Sequence, residues 1–445
     1  MSVVRHGEAP PLWDALTSLT SGVFGGPVQD EAFAKVLRRL FENLGATYVK
    51  LGQFIASSPT LFPEAYVREF QKCLDKTEAT SFEKVEQIIE EDLGRPLSEV
   101  FSRFNRRPMA SASIAQVHDA VLASNGERVA VKVLKPGVQS VLQADLGFLF
   151  IAAKVLGFLA PMLARASLVD IVSEIRTSML GELDFRLELK NMEIFRAFLA
   201  SKRLTRRAAA PKPYPEVSSK RVLVMEKFEG VPLADLDGIR AYSANPEATL
   251  ISALNVWAMS VRTCEIFHAD VHAGNLLVLK DGRVGFIDFG IVGRVPQQIW
   301  VVVEGLGAAL IANDSLAIAR ALIAMGATET GVDENRLADD LTELLSRISN
   351  LKPEVRVKKD QSKGDVTAEV GLDESQVTDL LLDIFRVADE NGLKLPREFA
   401  LLVKQALYFD RYNRLLAPDL DPLRDSRIDL GLSSSKRRGA RVIDV

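Results

Sequence analysis

At 445 residues, with 47% apolar and 26% charged side chains, the chain has ordinary globular composition and length for two or three subdomains. A formal net charge of −4 argues against general nucleic-acid binding. Its two cysteines, Cys73 and Cys264, lie far apart in no metal-ligand spacing, which fits a reducing compartment.

Residues 1–28 hold Pro, Gly and Ser without periodicity and read as a flexible terminus, with no apolar run of a secretory signal. From Asp30, Phe33, Val36, Leu37, Leu40, Phe41, Leu44, Tyr48, Leu51 and Ile55 recur at three and four, predicting one long helix to about Ser57. Lys50 and Gln53 share a stripe beside its apolar seam. On periodicity alone Lys50 reads as a solvated surface lysine. Pro63–Lys72 and Ser81–Glu91 predict two more helices, and Pro96–Phe101 a short helix or turn, so that 29–100 form a helical extension.

The composition then changes. Met109–Gln116 is a run of small residues. Val117–Leu122 and Arg128–Leu134 read as strands joined by Ser124-Asn125-Gly126-Glu127, an Asn-Gly hairpin. Lys132 stands among β-branched neighbours in Val129-Ala130-Val131-Lys132-Val133. A lone strand lysine usually faces solvent, but these flanks resemble the kinase strand whose lysine reaches nucleotide phosphates. The backbone amides of the small-residue loop could line those phosphates, with Ala where kinases have Gly, at a loss of flexibility.

Leu146–Ala164 is the most membrane-like stretch, but Lys154 interrupts it and Pro161 falls near its end, favouring a packed or interfacial helix over a span. Leu168–Phe198 predicts a helical stretch carrying Glu182, Asp184 and Glu188. Clustered acids usually mark a solvated face, and Glu182 and Asp184 converge only if the helix starts or breaks there. Val222–Phe228 reads as a strand running into Glu229-Gly230, similar to the hinge between kinase lobes, where adenine would meet the backbone around Met225, Glu226, Lys227 and Phe228.

After helices at Leu233–Arg240 and Ala248–Phe267 comes the segment that organises the chain, Phe267–Gly290. Asp270 is followed five residues later by Asn275, and thirteen after that by Asp288-Phe289-Gly290. Leu276–Leu279 and Val284–Ile287 are strand-like, with Asp281-Gly282 as the hairpin turn, so Asn275 and Asp288 come together at its open end. An Asn and an Asp side by side suit Mg²⁺, an oxygen-seeking ion that shares its ligands with phosphate. Asp270 is placed as base or orienter. The spacing matches H-R-D-x-x-x-x-N followed by D-F-G. Beyond Gly290 about five residues precede the next helix and no A-P-E sequence follows, so the segment with which protein kinases dock peptides is missing. Helices at Val295–Ile311, Asp314–Met325, Glu334–Leu351, Asp373–Glu390 and Arg397–Leu415 surround a charged stretch, Lys352–Thr367, that reads as a mobile loop. Residues 426–445 read as a disordered tail.

These motifs together resemble the UbiB/ADCK family of atypical protein-kinase-like proteins, over residues 30 to about 420. Lys50-Leu51-Gly52-Gln53 is similar to its K-x-G-Q, and Ala110-Ser111-Ala112-Ser113-Ile114-Ala115-Gln116 to its Ala-rich loop. Glu182-Leu183-Asp184 fits its E-x-D motif, and His268-Ala269-Asp270 with Gly274-Asn275 its HAD loop. Val271 and Ala273 stand where the family commonly has prolines, which removes backbone rigidity and keeps every polar side chain. The resemblance implies an α+β, protein-kinase-like bilobal fold: an N-lobe over 101–230 with a helical insertion at about 138–168, and a helical C-lobe over 231–425. It implies Lys132 paired with Glu188, and Lys50 and Gln53 directed toward Glu182 and Asp184. It further implies ATP and Mg²⁺ as cofactors, and an ATPase or atypical kinase supporting prenyl-quinone lipid synthesis. Prenyl-quinone lipids or their precursors, and quinone-biosynthesis proteins, are the implied partners. Contact with the membrane would be peripheral, on the cytoplasmic side in a bacterium or inside a mitochondrion or plastid. Alternatives are a small-molecule kinase of the aminoglycoside-phosphotransferase type and a nucleotide-binding scaffold without turnover.

Overall fold

A computed structural model describes residues between Pro27 and Asp429, with gaps of which the longest are 58–63, 73–78, 160–167, 360–365 and 372–382. The termini and much of the expected Asp373–Glu390 helix lie outside the described residues. Two compact units emerge: Met1–Thr77 with Ser140–Thr177, and Glu78–Gln139 with Ser178–Val445.

The first unit is helical. α1 (Pro27–Leu44) and α2 (Ala46–Ser57) replace the single helix expected from periodicity, because Gly45 between them takes φ +104°. Tyr66, Val67 and Phe70 of α3 (Glu64–Phe70) are buried, Phe70 meeting Phe41 edge-on at 5.0 Å. Arg38 ties α1 to α3 through Glu69 at 2.8 Å. The expected insertion belongs largely to this unit.

The second unit opens with α4 (Phe82–Leu93), whose Val85, Ile88 and Ile89 recur on one face and are buried. Gly94 ends it in the left-handed region, its amide bonding back to the Glu90 carbonyl at 2.9 Å. A short helix, α5 (Leu97–Val100), leads into a five-stranded antiparallel sheet of β1 (Phe101–Phe104), β2 (Ala110–Ser111), β3 (Ala115–Leu122), β4 (Arg128–Leu134) and a later strand, Val222–Glu226. β4 matches its predicted limits and β3 begins two residues earlier than predicted, at Ala115, with Gly126 at φ +72° in the turn. The α4 face and the inner residues Val129, Val131, Val133, Val222 and Val224 form one core, so residues from about 80 belong with the sheet and the helical extension ends sooner than its expected limit at 100.

α6 (Val138–Leu159) begins here and continues into the first unit, from which α7 (Leu168–Gly181) returns. Among the described residues no helix is long and apolar enough to cross a membrane. α6 is not fully packed either: Phe148 is 67% exposed and Ile151 62%. The helical stretch expected over Leu168–Phe198 breaks at 182–184 and resumes as α8 (Phe185–Ser201), capped by Asp184.

β5 (Ala208–Ala209) precedes β6, the Val222–Glu226 strand, and β7 (Gly230–Pro232) follows it. α9 (Leu236–Tyr242) and α10 (Pro246–Thr263) lead to β8 (Phe267–His268). The predicted hairpin is present as β9 (Leu276–Leu279) and β10 (Val284–Phe286), with Gly282 at φ +82° in its turn. It forms a second sheet in the order β5-β10-β9-β7. β11 (Val292–Gly293) pairs back onto β8. α11 (Gln297–Ala312), α12 (Ser315–Met325) and α13 (Glu334–Ser349) share a core with the final helix, α14 (Arg397–Leu416). Between α12 and α13 lies β12 (Ala327–Thr328), paired with a later strand, Leu393–Lys394.

Part of the expected mobile loop is instead an antiparallel pair, β13 (Glu354–Lys359) with β14 (Val366–Gly371). Glu354-Val355-Arg356-Val357-Lys358 alternates with a strand's period of two, a pattern that its charge count obscures. β15 is the Leu393–Lys394 strand.

Candidate active site

Lys132 leaves the middle of β4 and meets both oxygens of Glu188, one turn into α8, at 2.9 and 3.1 Å. It also reaches Asp288 at 3.4 Å, and the Phe185 ring lies 5.4 Å from its ammonium. Burial opposes the charge on Lys132, but Asp288 and Glu188 outweigh it and hold the ammonium above its ordinary range. Burial pushes the Glu188 carboxyl up, to about 7, with Lys132 pulling it back and the charges of Asp288 and Glu182 adding to the rise. The strand lysine and helix glutamate implied by the family resemblance are therefore brought together.

Asp288 sits at φ +60°, a conformation that costs a non-glycine residue on the order of 1–3 kcal/mol. The Gly290 amide bonds to its Oδ1 at 3.2 Å. Phe289 is buried 5.1 Å from both Phe195 and His268, and Asn191 of α8 donates to its carbonyl. The side chain before it, Asp288, is half exposed. Asn275 is joined to this turn by the Ile287 amide, which donates to the Asn275 carbonyl at 3.0 Å. Asn275 and Asp288 thus meet at the hairpin's open end as predicted.

The amide nitrogen of Asn275 donates to the Asp270 carbonyl at 3.0 Å and to its Oδ2 at 3.4 Å, so the amide oxygen faces away from Asp270. That oxygen and the half-exposed Asp288 carboxylate make an all-oxygen donor set fitting Mg²⁺, which fills its remaining positions with water and phosphate. Among the described residues no cluster of three acids, histidines or cysteines could hold a metal alone. His268, fully buried, donates from Nε2 to the Ile287 carbonyl and accepts the Asp270 amide at Nδ1. Burial pushes its pKa down.

Asp270 is held more tightly than its loop position suggests. Oδ1 pairs with Lys404 of α14 at 3.2 Å, and Oδ2 lies 3.5 Å from His272. Burial would raise its pKa, but Lys404, His272 and His268 together bring it below the ordinary carboxylate range. The next residue of α14, Gln405, is fully buried and grips the loop backbone. Its Oε1 accepts the Val271 amide at 2.8 Å, and its Nε2 donates to the Ala269 carbonyl at 2.7 Å. Tyr412 donates to the Val271 carbonyl at 2.8 Å. A proline at 271 would have no N–H; Val271 has one, and Gln405 satisfies it. Sequence reasoning missed all three α14 residues. The one available signal was that amide, which needs a buried acceptor.

The Ala-rich loop divides. Ala110 and Ser111 pair with Val117 and Gln116, and the turn closes with the Ala112 amide donating to the Ala115 carbonyl at 2.8 Å. Ser113, Ile114, Ala115 and Gln116 are buried. The Gln116 side chain is fully engaged: its oxygen accepts the Thr80 amide, and its nitrogen donates to the Thr80 carbonyl and to His118 Nε2. It anchors the segment before α4. In the hinge strand, the Glu226 amide donates to the Lys212 carbonyl and the Lys227 amide to the Arg128 carbonyl, so neither is open to adenine. Phe228 is half-buried beside them.

Glu182 lies in the break between α7 and α8, and its charge raises Glu188. Asp184 accepts the Arg186 amide and pairs with the Arg186 guanidinium at 2.6 Å. Lys50 and Gln53 lie on α2 in the first unit, and their side chains fall outside the described residues.

Residues 72–322 match the ABC1 atypical kinase-like domain, more than half of the chain. The chain belongs to the ABC1 atypical kinase-like family. Within it, this chain is 51% identical over 90% of its length, and 75% of the relative's, to an aarF domain-containing protein kinase of Arabidopsis thaliana described as chloroplastic. To a probable protein kinase UbiB of Cellvibrio japonicus it is 32% identical, over 86% of this chain and 66% of that one. Its fold is similar to that of the Mycobacterium tuberculosis protein Rv3197 solved with erythromycin, with a TM-score of 0.52, 25% identity, and 91% and 98% of the two chains covered. The ABC1 match ends at residue 322, before α14 and its Lys404, Gln405 and Tyr412.

Proposed function

We propose that this protein binds Mg-ATP in the second unit and turns it over, as an ATPase or atypical kinase serving isoprenoid-quinone lipid metabolism. The carrying observation is the Lys132–Glu188–Asp288 junction beside the Asp270–Asn275 pair. A buried ammonium held by two carboxylates is a phosphate-binding arrangement once one of them turns to a metal. Asn275 and Asp288 would hold Mg²⁺, which shields phosphate charge. Lys132 would contact phosphate oxygens, and the Ala110–Ala112 arm would cover them. Since the Glu226 and Lys227 amides are engaged, adenine recognition falls to the carbonyls of this stretch and to Phe228. Lys50 and Gln53 remain candidates for restricting the acceptor side.

The short connection from Gly290 to α11 supports a non-peptide acceptor or water. UbiB-named relatives support the quinone assignment, and the chloroplastic relative supports an organelle or its bacterial counterpart. Phosphorylation of a small molecule is the second reading, favoured by a structural neighbour that holds erythromycin. Purified protein should hydrolyse ATP in a Mg²⁺-dependent way, more so with lipid vesicles and quinone-like lipids, and Asp288→Asn should lower the rate on the order of a hundredfold or more. No turnover, or turnover that survives Asp288→Asn, overturns the first reading. A phosphorylated acceptor found by mass spectrometry selects the second.

A further inference from the structure

Both oxygens of the Asp270 carboxylate are engaged, and the strongest partner comes from outside the matched domain. Lys404 reaches Oδ1 at 3.2 Å, while Asn275 and His272 face Oδ2 at 3.4 and 3.5 Å. The Lys404 and Asp270 side chains are only 20% and 18% exposed, so the pair is shielded from solvent on most sides. Its geometry is not left to a flexible lysine. The neighbouring Gln405 locks the helix to the backbone of Ala269 and Val271, and Tyr412, two turns on, locks it to Val271 again. Three contacts therefore set the register in which Lys404 is presented, 134 residues downstream of its partner.

We propose that Lys404 is a positioning residue for phosphoryl transfer: delivered by α14, it fixes the Asp270 carboxylate against the Asn275 side so that the attacking oxygen is oriented. The inference rests on the phosphoryl-transfer reading above. A carboxylate clamped at both oxygens acts by holding the acceptor in line, where an ångström of displacement changes rates on the order of a hundredfold.

Three variants test it: Lys404→Gln, Lys404→Arg and Asp270→Asn, with melting temperatures checked for folding. In ATP turnover, Lys404→Gln should lower kcat on the order of a hundredfold while KM for ATP and the affinity for a fluorescent ADP stay within about twofold, and Lys404→Arg should recover most of the rate. Unfolding in urea supplies a readout without ATP. The Lys404→Gln, Asp270→Asn double variant should lose no more stability than the more damaging single change, because each removes the same pair. Full additivity there overturns the pair. Turnover with unchanged kcat, a changed KM alone, or a faster rate in Lys404→Gln overturns the positioning role, the last in favour of an inhibitory contact. No turnover by the wild-type protein, with the pair intact in urea, overturns the phosphoryl-transfer reading instead.

Discussion

The roles of single residues depend on which partners burial leaves them. Lys132 was legible because one lysine among Val129, Val131 and Val133 demands a reason, and the structure supplies Glu188 and Asp288 as that reason. Glu188 was not legible from its surroundings in sequence, since an acid on an unplaced helix reads as solvent-facing; only the family pattern pointed to it. Gln116 shows how burial fixes a polar side chain that the sequence leaves open: it is 1% exposed and bonded to Thr80 and His118. His118 in turn donates from Nδ1 to the Asn105 carbonyl, which leaves Nε2 as the acceptor for Gln116. Burial holds its pKa below the ordinary imidazole value. A depressed folded pKa means that this contribution to stability is complete above about pH 6.5 and is lost as the pH falls through the folded value. Urea unfolding should therefore show stability dropping below about pH 6.5, by at most about 1.4 kcal/mol per pH unit for each such ring. His118→Gln should flatten that slope; an identical slope in the variant would exclude His118 as a source.

Elements explain how residues far apart in the chain form one loop. β9 and β10 were readable from alternation and Asp281-Gly282, and they bring Asn275 and Asp288 together with no further help. The loop around Asp270 needs more, because Val271 and Ala273 stand where prolines would stiffen it. α14 provides the compensation through Gln405 and Tyr412. Its amphipathic pattern announced a helix but gave no hint of which loop it would meet, since that contact spans more than 130 residues. Replacing Gln405 by Leu leaves the Val271 amide buried without an acceptor and should cost about 1–3 kcal/mol in urea unfolding. Adding Val271→Pro removes the orphaned donor, so the double variant should recover part of that loss and part of the ATP turnover. No recovery would mean that Gln405 acts through packing alone.

At the scale of the whole molecule, the second unit holds Lys132, Glu188, Asn275, Asp288 and Asp270, and the first unit holds the exposed apolar helices. Val36, Leu40 and Leu44 of α1 fall four residues apart on one stripe, and Val141, Phe148 and Ile151 of α6 share a face; all are exposed. The sequence announced α6 as the most membrane-like stretch, and the structure leaves two of its largest apolar side chains in solvent. If this surface mediates the proposed peripheral membrane contact, Phe148→Glu with Ile151→Glu should weaken co-sedimentation with anionic lipid vesicles about tenfold or more, and leave basal ATP turnover in detergent-free buffer unchanged. Retained vesicle binding would place the contact elsewhere. The reach of α14 back to the Asp270 loop also has a consequence during synthesis. The loop leaves the ribosome some 130 residues before its clamp, a delay of roughly seven to twenty-seven seconds at ordinary translation rates. Until then Asp270 lacks its lysine and the Val271 amide its acceptor. A protein truncated at residue 322, where the ABC1 match ends, carries Lys132, Glu188, Asp270, Asn275 and Asp288 and still lacks the helix that finishes the loop.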